Sequence, residues 1–352
     1  MSQTFAPLGQ AVLAGRPLTA DQAHVLAELA AADPWEAITW AGRVRRQRFG
    51  NQVRFCSIVA GRLGACAEDC KWCAQSVAWS GADRQGAGTP AKPRVAPRQE
   101  ILAAARAAWE AGSACIGIVN SGRRPSAADL TAVAEAAGGI LADAGCAGGV
   151  CASLGAISAD QARQLAQAGV RRYHHNLETS RRFFPSTVTT HGYQERLDTL
   201  AAARSVGMSL CCGGIFGIGE TWADRVELAL VLRDQVRPEV VPLNFLHPIA
   251  GTPLEQAQPL PPMEILAIIA IYRLILPEAD IKVAGGRQVN LRDLQSWIFE
   301  AGATSIMVGD YLTTSGRDVA EDRQMVADLG LTVVRDLARA PAGRPEGHPA
   351  RG

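Results

Sequence analysis

Little in this 352-residue chain is extreme, and its shortages do the first sorting. Net charge is almost absent: 35 Lys and Arg against 34 Asp and Glu leave a formal +1. That is too little to hold a nucleic acid by charge alone. Long apolar runs are missing too, because Arg and Asp interrupt every stretch that approaches the roughly 20 residues of a membrane span. Residues 1–13 carry no basic segment ahead of an apolar one, so they do not read as a signal peptide, and the expected location is the cytoplasm. No segment recurs at a fixed period, which argues against a solenoid. Nine cysteines are present, an odd number that fits a disulfide framework poorly in a reducing compartment.

What the chain does have is alternation. Short β-like runs at 53–60, 114–119, 148–154, 171–178, 208–216, 240–246, 280–284 and 304–308 are separated by Ala-rich helical stretches or long loops. Strands separated in this way pair in parallel, so the expected fold is α/β, a (β/α)8 TIM-type barrel over residues 49–330. An open doubly wound sheet is the structural alternative. Residues 1–48 read as an N-terminal helical extension, with a helix over 19–32. Residues 331–352 form a C-terminal tail whose Pro, Gly, Ala and Arg content from 338 onward predicts disorder.

The connection 61–97 is long enough to suggest a function of its own. It holds Cys66, Cys70 and Cys73 at the spacing C-x3-C-x2-C. No fourth Cys or His follows at zinc-finger spacing, and the next histidine is His174. A closed zinc site wants four ligands, so zinc stays open only as the lesser reading. Three thiolates on one loop suit a 4Fe–4S cluster with one iron left to a substrate. That open iron can chelate the amino and carboxylate groups of S-adenosylmethionine and pass it one electron. Strand period adds a second cluster of polar residues, since His174, Asn176 and Glu178 share one face of the fourth predicted strand. Gly213 and Gly214 end the fifth, where a missing side chain lets backbone approach a ligand. Asn244 and Thr313 fall at strand ends, on the C-terminal face where barrels build their sites. Cys212 and Cys146 read as packing.

The run Cys66-Ala-Glu-Asp-Cys-Lys-Trp-Cys-Ala-Gln-Ser76, with Trp72 as its aromatic residue, resembles the radical S-adenosylmethionine signature. With Tyr173-His-His-Asn-Leu-Glu-Thr-Ser180, Gly213-Gly-Ile-Phe-Gly-Ile-Gly-Glu-Thr221 and Gly251-Thr-Pro-Leu254, the chain resembles the biotin synthase family over about residues 49–330. The resemblance implies a sulfurtransferase that converts dethiobiotin to biotin by radical chemistry, with no side chain acting as general acid or base. It implies S-adenosylmethionine contacts at Trp72, Asn176, Glu178, Gly213 and Gly214. Dethiobiotin contacts are implied at His174, Asn176, Asn244 and Thr313. An auxiliary cluster, 2Fe–2S or a 4Fe-type variant, is implied as sulfur donor, with Cys151, Cys211 and Arg287 as ligands. The family's further cysteine position falls on Gly117, and Cys115, two residues earlier, lies about 7 Å lower along the strand. Cys56, in Phe55-Cys-Ser-Ile58, is the expected substitute, as in a branch of the family lacking the second-strand cysteine. The resemblance also implies a flavodoxin or ferredoxin as electron donor and a homodimer. A related radical enzyme with rearrangement or maturase chemistry and a zinc-binding scaffold remain the rivals.

Overall fold

The computed structural model describes residues 4–79, 93–143 and 149–336. Cys146, the start of the third predicted strand and the tail 338–352 lie outside the described residues.

Three helices come first: α1 (Phe5–Leu13), α2 (Ala20–Ala32) and α3 (Pro34–Phe49). Local signals set their ends. Thr19 and Gln22 close a reciprocal capping box on α2. Asp33 accepts from the Trp35 and Glu36 amides ahead of Pro34, and Gly50 ends α3 at φ 59°. The sheet strands are β1 (Gln52–Leu63), β2 (Arg94–Val95), β3 (Ser113–Asn120), β4 (Gly149–Ser153), β5 (Val170–His174), β6 (Ser209–Cys211), β7 (Gly214–Phe216), β8 (Val240–Phe245), β9 (Asp280–Val283), β10 (Ser305–Met307) and β11 (Thr332–Val333). Neighbours run β1-β3-β4-β5-β6-β8-β9-β10, all parallel, and β10 returns to β1 through Arg54↔Ser305 and Cys56↔Met307. The sheet is therefore closed, and the open doubly wound alternative falls. Helices α4 (Arg98–Glu110), α5 (Ala127–Ala142), α6 (Ala159–Gln167), α7 (Tyr193–Ser205), α8 (Trp222–Val231) and α9 (Pro262–Ile275) cross between staves, as a parallel sheet requires.

Three departures from the sequence reading have local causes. The fifth predicted strand breaks at Cys212-Gly213 into β6 and β7, both pairing with β8. A Cβ on Gly213 would meet the Pro242 carbonyl oxygen at 1.9 Å, so only glycine lets the backbone cross there. Between the seventh and eighth predicted strands the chain forms no single helix but α10 (Arg287–Leu291), a 3-10 turn at Arg292–Leu294 and α11 (Trp297–Glu300). Chain beyond residue 330 adds β11 alongside β1, through Gln52↔Thr332 and Val53↔Val333.

Outward-facing Phe55, Ile116, Val150, Tyr173, Leu210, Val241, Ile281 and Ile306 pack against the helices with almost no exposure. Buried charge accompanies this apolar layer. Arg273 of α9 donates to the Gly302, Pro277 and Ala279 carbonyls at 2.8–3.0 Å and lies over the Phe49 ring. Arg287 and Asp322 form a fully buried fork, with Nη2–Oδ2 at 2.6 Å. Asp322→Ala strands that guanidinium, and is expected to lower the unfolding free energy by about 3–5 kcal/mol, read as a lower urea midpoint. Glu300→Ala removes the exposed pair with Arg46 and is expected to change stability by no more than about 1 kcal/mol.

Candidate functional site

The three-cysteine loop leaves the C-terminal end of β1 and folds back on itself. The Cys66 amide donates to the Gln75 carbonyl at 2.9 Å, and the Cys73 amide to Cys70 at 3.0 Å. Two acids inside the motif dock the loop on the segment after β5. Asp69 accepts from the Thr189 amide at 2.9 Å and from the Thr190 amide and hydroxyl at 3.1 and 3.0 Å. Glu68 accepts from the Thr190 hydroxyl at 2.7 Å and pairs with His191. Burial would raise the Asp69 carboxyl, but the Thr189 and Thr190 donors outweigh it and hold it at about 2. Burial pushes the Cys70 thiol up and the Cys73 thiol to about 11, with Cys66 and Glu178 adding like charge. Such thiols ionise only when a cation arrives, which suits a metal cluster as their occupant. Among the described residues no three His, Cys, Asp or Glu converge tightly enough for a single metal ion. A cluster held at three corners instead needs its ligands spread apart. Trp72 packs with Ile215, Ile218 and Leu246 beside this loop.

Strand β5 ends at His174, yet the chain continues in register: the His175 amide donates to the Cys211 carbonyl and the Leu177 amide to Gly213. His174 and Asn176 therefore line the barrel cavity while Leu177 is buried in the outer core. Glu178 sits at φ 70°, a conformation L residues rarely adopt. Its backbone oxygen accepts from the Ile215 amide at 2.8 Å, and a Cβ on Gly214 would come within 2.5 Å of that oxygen. Burial raises the Glu178 carboxyl above the usual range, against the pull of Arg196 at 3.5 Å. Asn176 donates to Glu178 at 3.3 Å and accepts from the Gly213 amide at 3.1 Å. Asn244 donates to the Gly214 carbonyl at 3.0 Å and accepts from the Gly285 amide at 2.9 Å. Thr313 is half-buried, and the residue lining the cavity there is Leu312.

That barrel cavity measures about 200 Å³, and Cys56, Cys151, Cys211 and Lys282 line it together with His174 and Asn176. The Lys282 ammonium lies 3.6 Å from both Cys56 Sγ and Cys211 Sγ. Burial works to strip its proton, but Cys211, Cys56 and Asp280 keep it above the ordinary lysine value. His174 Nδ1 is 3.2 Å from Cys211 Sγ, and burial with Lys282 nearby lowers that imidazole to about 4. It is neutral at pH 7.

Two expectations are corrected here. Arg287 does not line the cavity: its guanidinium is taken up by Asp322, Gln295 and the Met307 carbonyl. The cation beside the thiols is Lys282, missed although a lysine two residues after Asp280 in an otherwise apolar strand was a visible signal. Cys115 is not out of reach either. It pairs across β1 with Cys56, and diagonally forms a disulfide with Cys151 at a Cα separation of 6.7 Å. Cys56, Cys115 and Cys151 make one buried group, because the β3–β4 register opposes Gly117 to Cys151 and leaves Cys115 one layer below.

Against known proteins, residues 63–232 match the Radical SAM superfamily and residues 242–332 the Biotin and Thiamin Synthesis associated domain. The chain is 45% identical over 333 residues to the biotin synthase of Trichlorobacter lovleyi, covering 94% of this chain and 97% of that one. It is 46% identical over 327 residues to the biotin synthase of Geobacter sulfurreducens, covering 93% and 96%. Among solved structures, methylornithine synthase (PylB) matches with a TM-score of 0.77 at 18% identity, over 93% of this chain and 97% of that one. The FeFe-hydrogenase maturase HydG from Carboxydothermus hydrogenoformans matches with 0.76 at 16%, over 93% and 78%. At such identities the structures speak for the fold. No described helix is long and apolar enough to cross a membrane.

The docking of the cysteine loop has a pH signature. The folded Asp69 carboxyl titrates below its ordinary 3.8, so its contribution is complete above that value and disappears as pH falls through about 2. Hydrogen-exchange protection of the Lys71 and Thr189 amides in iron-free chain is expected to hold at pH 4 and drop near pH 2. In Asp69→Ala it is expected to be low at both.

Proposed function

The chain belongs to the biotin synthase family, and from that premise we propose how its own residues serve the family's reaction, insertion of sulfur into dethiobiotin to form biotin. It is a radical S-adenosylmethionine enzyme, with a 4Fe–4S cluster and S-adenosylmethionine as cofactors. When bound, these supply a one-electron cleavage and a hydrogen-abstracting radical, and an auxiliary iron–sulfur cluster supplies the sulfur. The observation that carries the residue assignment is the pairing of two thiol sets in one barrel: a docked loop at the rim and a buried group beneath it.

In this reading Cys66, Cys70 and Cys73 hold the 4Fe–4S cluster by three corners. Glu68 and Asp69 fix the loop that carries them. Glu178 and Asn176 orient S-adenosylmethionine, Trp72 walls the site, and Gly213 and Gly214 let backbone come close. Arg196 keeps Glu178 in place by pairing with its carboxylate while holding the Asn176 carbonyl at 2.7 Å. Below them, Cys151, Cys211 and Cys56 ligate the auxiliary cluster, and Lys282 balances their negative charge. Four cysteines around one floor, counting Cys115, would offer four thiolates once the Cys115–Cys151 disulfide is reduced, and that number favours a 4Fe-type cluster over a 2Fe–2S one held through arginine. Neutral His174 and the amides of Asn176 and Asn244 offer dethiobiotin hydrogen bonds without adding charge, and Thr313 stands beyond Leu312. No side chain has to move a proton for the hydrogen abstraction. A flavodoxin or ferredoxin as reductant, a homodimer and a cytoplasmic location complete the proposal on family grounds.

Anaerobic reconstitution tests it. Wild-type protein is expected to bind more iron than one 4Fe–4S cluster accounts for. Cys70→Ala is expected to form no 5′-deoxyadenosine. Cys151→Ala should keep uncoupled S-adenosylmethionine cleavage and lose biotin formation; an unchanged biotin yield refutes its role. Arg287→Met should lower stability and leave the iron content of folded protein unchanged.

A further inference from the structure

A second cavity opens at the opposite end of the barrel, where the strands begin. It measures about 700 Å³, and Cys115 and Cys151 form part of its wall. Arg54, Arg171, Arg172 and Arg335 face it, against one described carboxylate, Asp336. Arg54, Cys151 and Arg172 also line the central cavity, so the two spaces share a partition. Arg54 is nine-tenths buried and ion-paired with Asp280 on the barrel side, yet its Nε has no hydrogen-bond partner. Arg172 donates from Nε to the Ser209 hydroxyl at 3.0 Å, and Arg335 lies 3.2 Å over the Trp109 ring. Arg171 is exposed at the mouth. With Arg54 set against Asp280, the cavity keeps a positive balance.

An apolar floor or a bare solvent cleft would not explain buried arginine placed against thiols. A positively charged cleft concentrates small anions and speeds their arrival by about 10- to 1,000-fold. The Cys115–Cys151 disulfide at its end reacts with a sulfur nucleophile among the anions it attracts. On the reading above, the auxiliary cluster gives up sulfide in each turnover, and the opposite rim is taken by S-adenosylmethionine and dethiobiotin. We propose that the basal cavity is a second way into the barrel, through which hydrosulfide reaches Cys115 and Cys151. The inference rests on that auxiliary-cluster reading for its purpose, but not for its geometry.

In the iron-free chain the step is explicit. Hydrosulfide attacks the Cys115–Cys151 disulfide, a new S–S bond forms to one cysteine, and the old one breaks. A persulfide and a thiolate result, with the electron pair of the broken bond on the departing sulfur and no outside oxidant or reductant. The test uses full-length iron-free chain treated with sodium sulfide, quenched with a neutral alkylating agent and mapped by mass. Arg171→Glu, and separately high salt, are expected to slow persulfide formation about tenfold. Opening by a neutral phosphine is expected to stay unchanged. Should the thiols prove already reduced, the iodoacetate-to-iodoacetamide rate ratio at the same cysteines is expected to fall about tenfold in Arg171→Glu. Equal hydrosulfide rates in both proteins, or an unchanged ratio, overturn the proposal. Neither readout involves iron, so their failure is distinct from failure of the cluster assignment, which the iron content tests.

Discussion

One ammonium among thiols is the interaction around which this barrel is organised. Lys282 faces the interior of the barrel by strand alternation, level with Pro242 of β8 on one side and Ser305 of β10 on the other. From there it meets Cys56 on β1 and Cys211 on β6. A closed parallel sheet normally fills its centre with branched apolar side chains. Here that centre carries sulfur, imidazole and amine, and burying them is tolerable only if their charges cancel. Asp280 at the same strand neutralises Arg54, accepts from Thr304 at 2.8 Å and also pairs with Ser305. The cation–thiol centre thus rests on a second polar layer beneath it, in which the Asp280 carboxylate is matched by Arg54, Thr304 and Ser305.

Strain sits where the two thiol sets meet. Glu178 holds a left-handed backbone while its carboxyl is buried and pulled between Arg196 and Asn176. Such a geometry persists when its surroundings over-determine it. They do so here: Ile215 donates to the Glu178 carbonyl, Gly214 leaves room for that carbonyl, and Asn244 holds Gly214 from the far side. Asn244 in its turn is fixed by the Gly285 amide. The position of one carboxylate is therefore transmitted through three consecutive staves.

Much of this was legible before the structure. Strand–helix alternation implied a closed parallel barrel, because helices between strands leave parallel pairing as the outcome. The C-x3-C-x2-C spacing marked the rim loop, and period-two alternation put His174 and Asn176 on the inner face. What was hidden depended on register between distant strands. Lys282 stood out in its strand, but nothing local says that it meets the thiols of β1 and β6, or that Arg287 caps off against Asp322 from a helix 35 residues later in the chain. Cys115 was discounted because distance was measured along its own strand, whereas a diagonal side chain on β4 closes the gap. The break at Cys212-Gly213 was invisible for the same reason, since its cause is the Pro242 carbonyl of another stave.

Gly117 shows why the buried sulfur centre lies low in the barrel. A Cβ there would come within 3.3 Å of the Ile58 side chain, tighter than ordinary packing, so a thiol at 117 would force Ile58 to shift. With Ile58 opposite, the neighbouring inward positions are Cys56 and Cys115, one layer toward the strand starts, and the register pairs them directly. Sulfur at that level lies next to the partition made by Arg54 and Arg172 rather than under the rim. The branched side chain at 58 thus lines the cavity where a thiol at 117 would have stood, and the thiols lie against the basal arginines. A centre placed there opens into the same cavity as Asn176 and Asn244, while only a thin cationic floor of Arg54 and Arg172 divides it from the basal space.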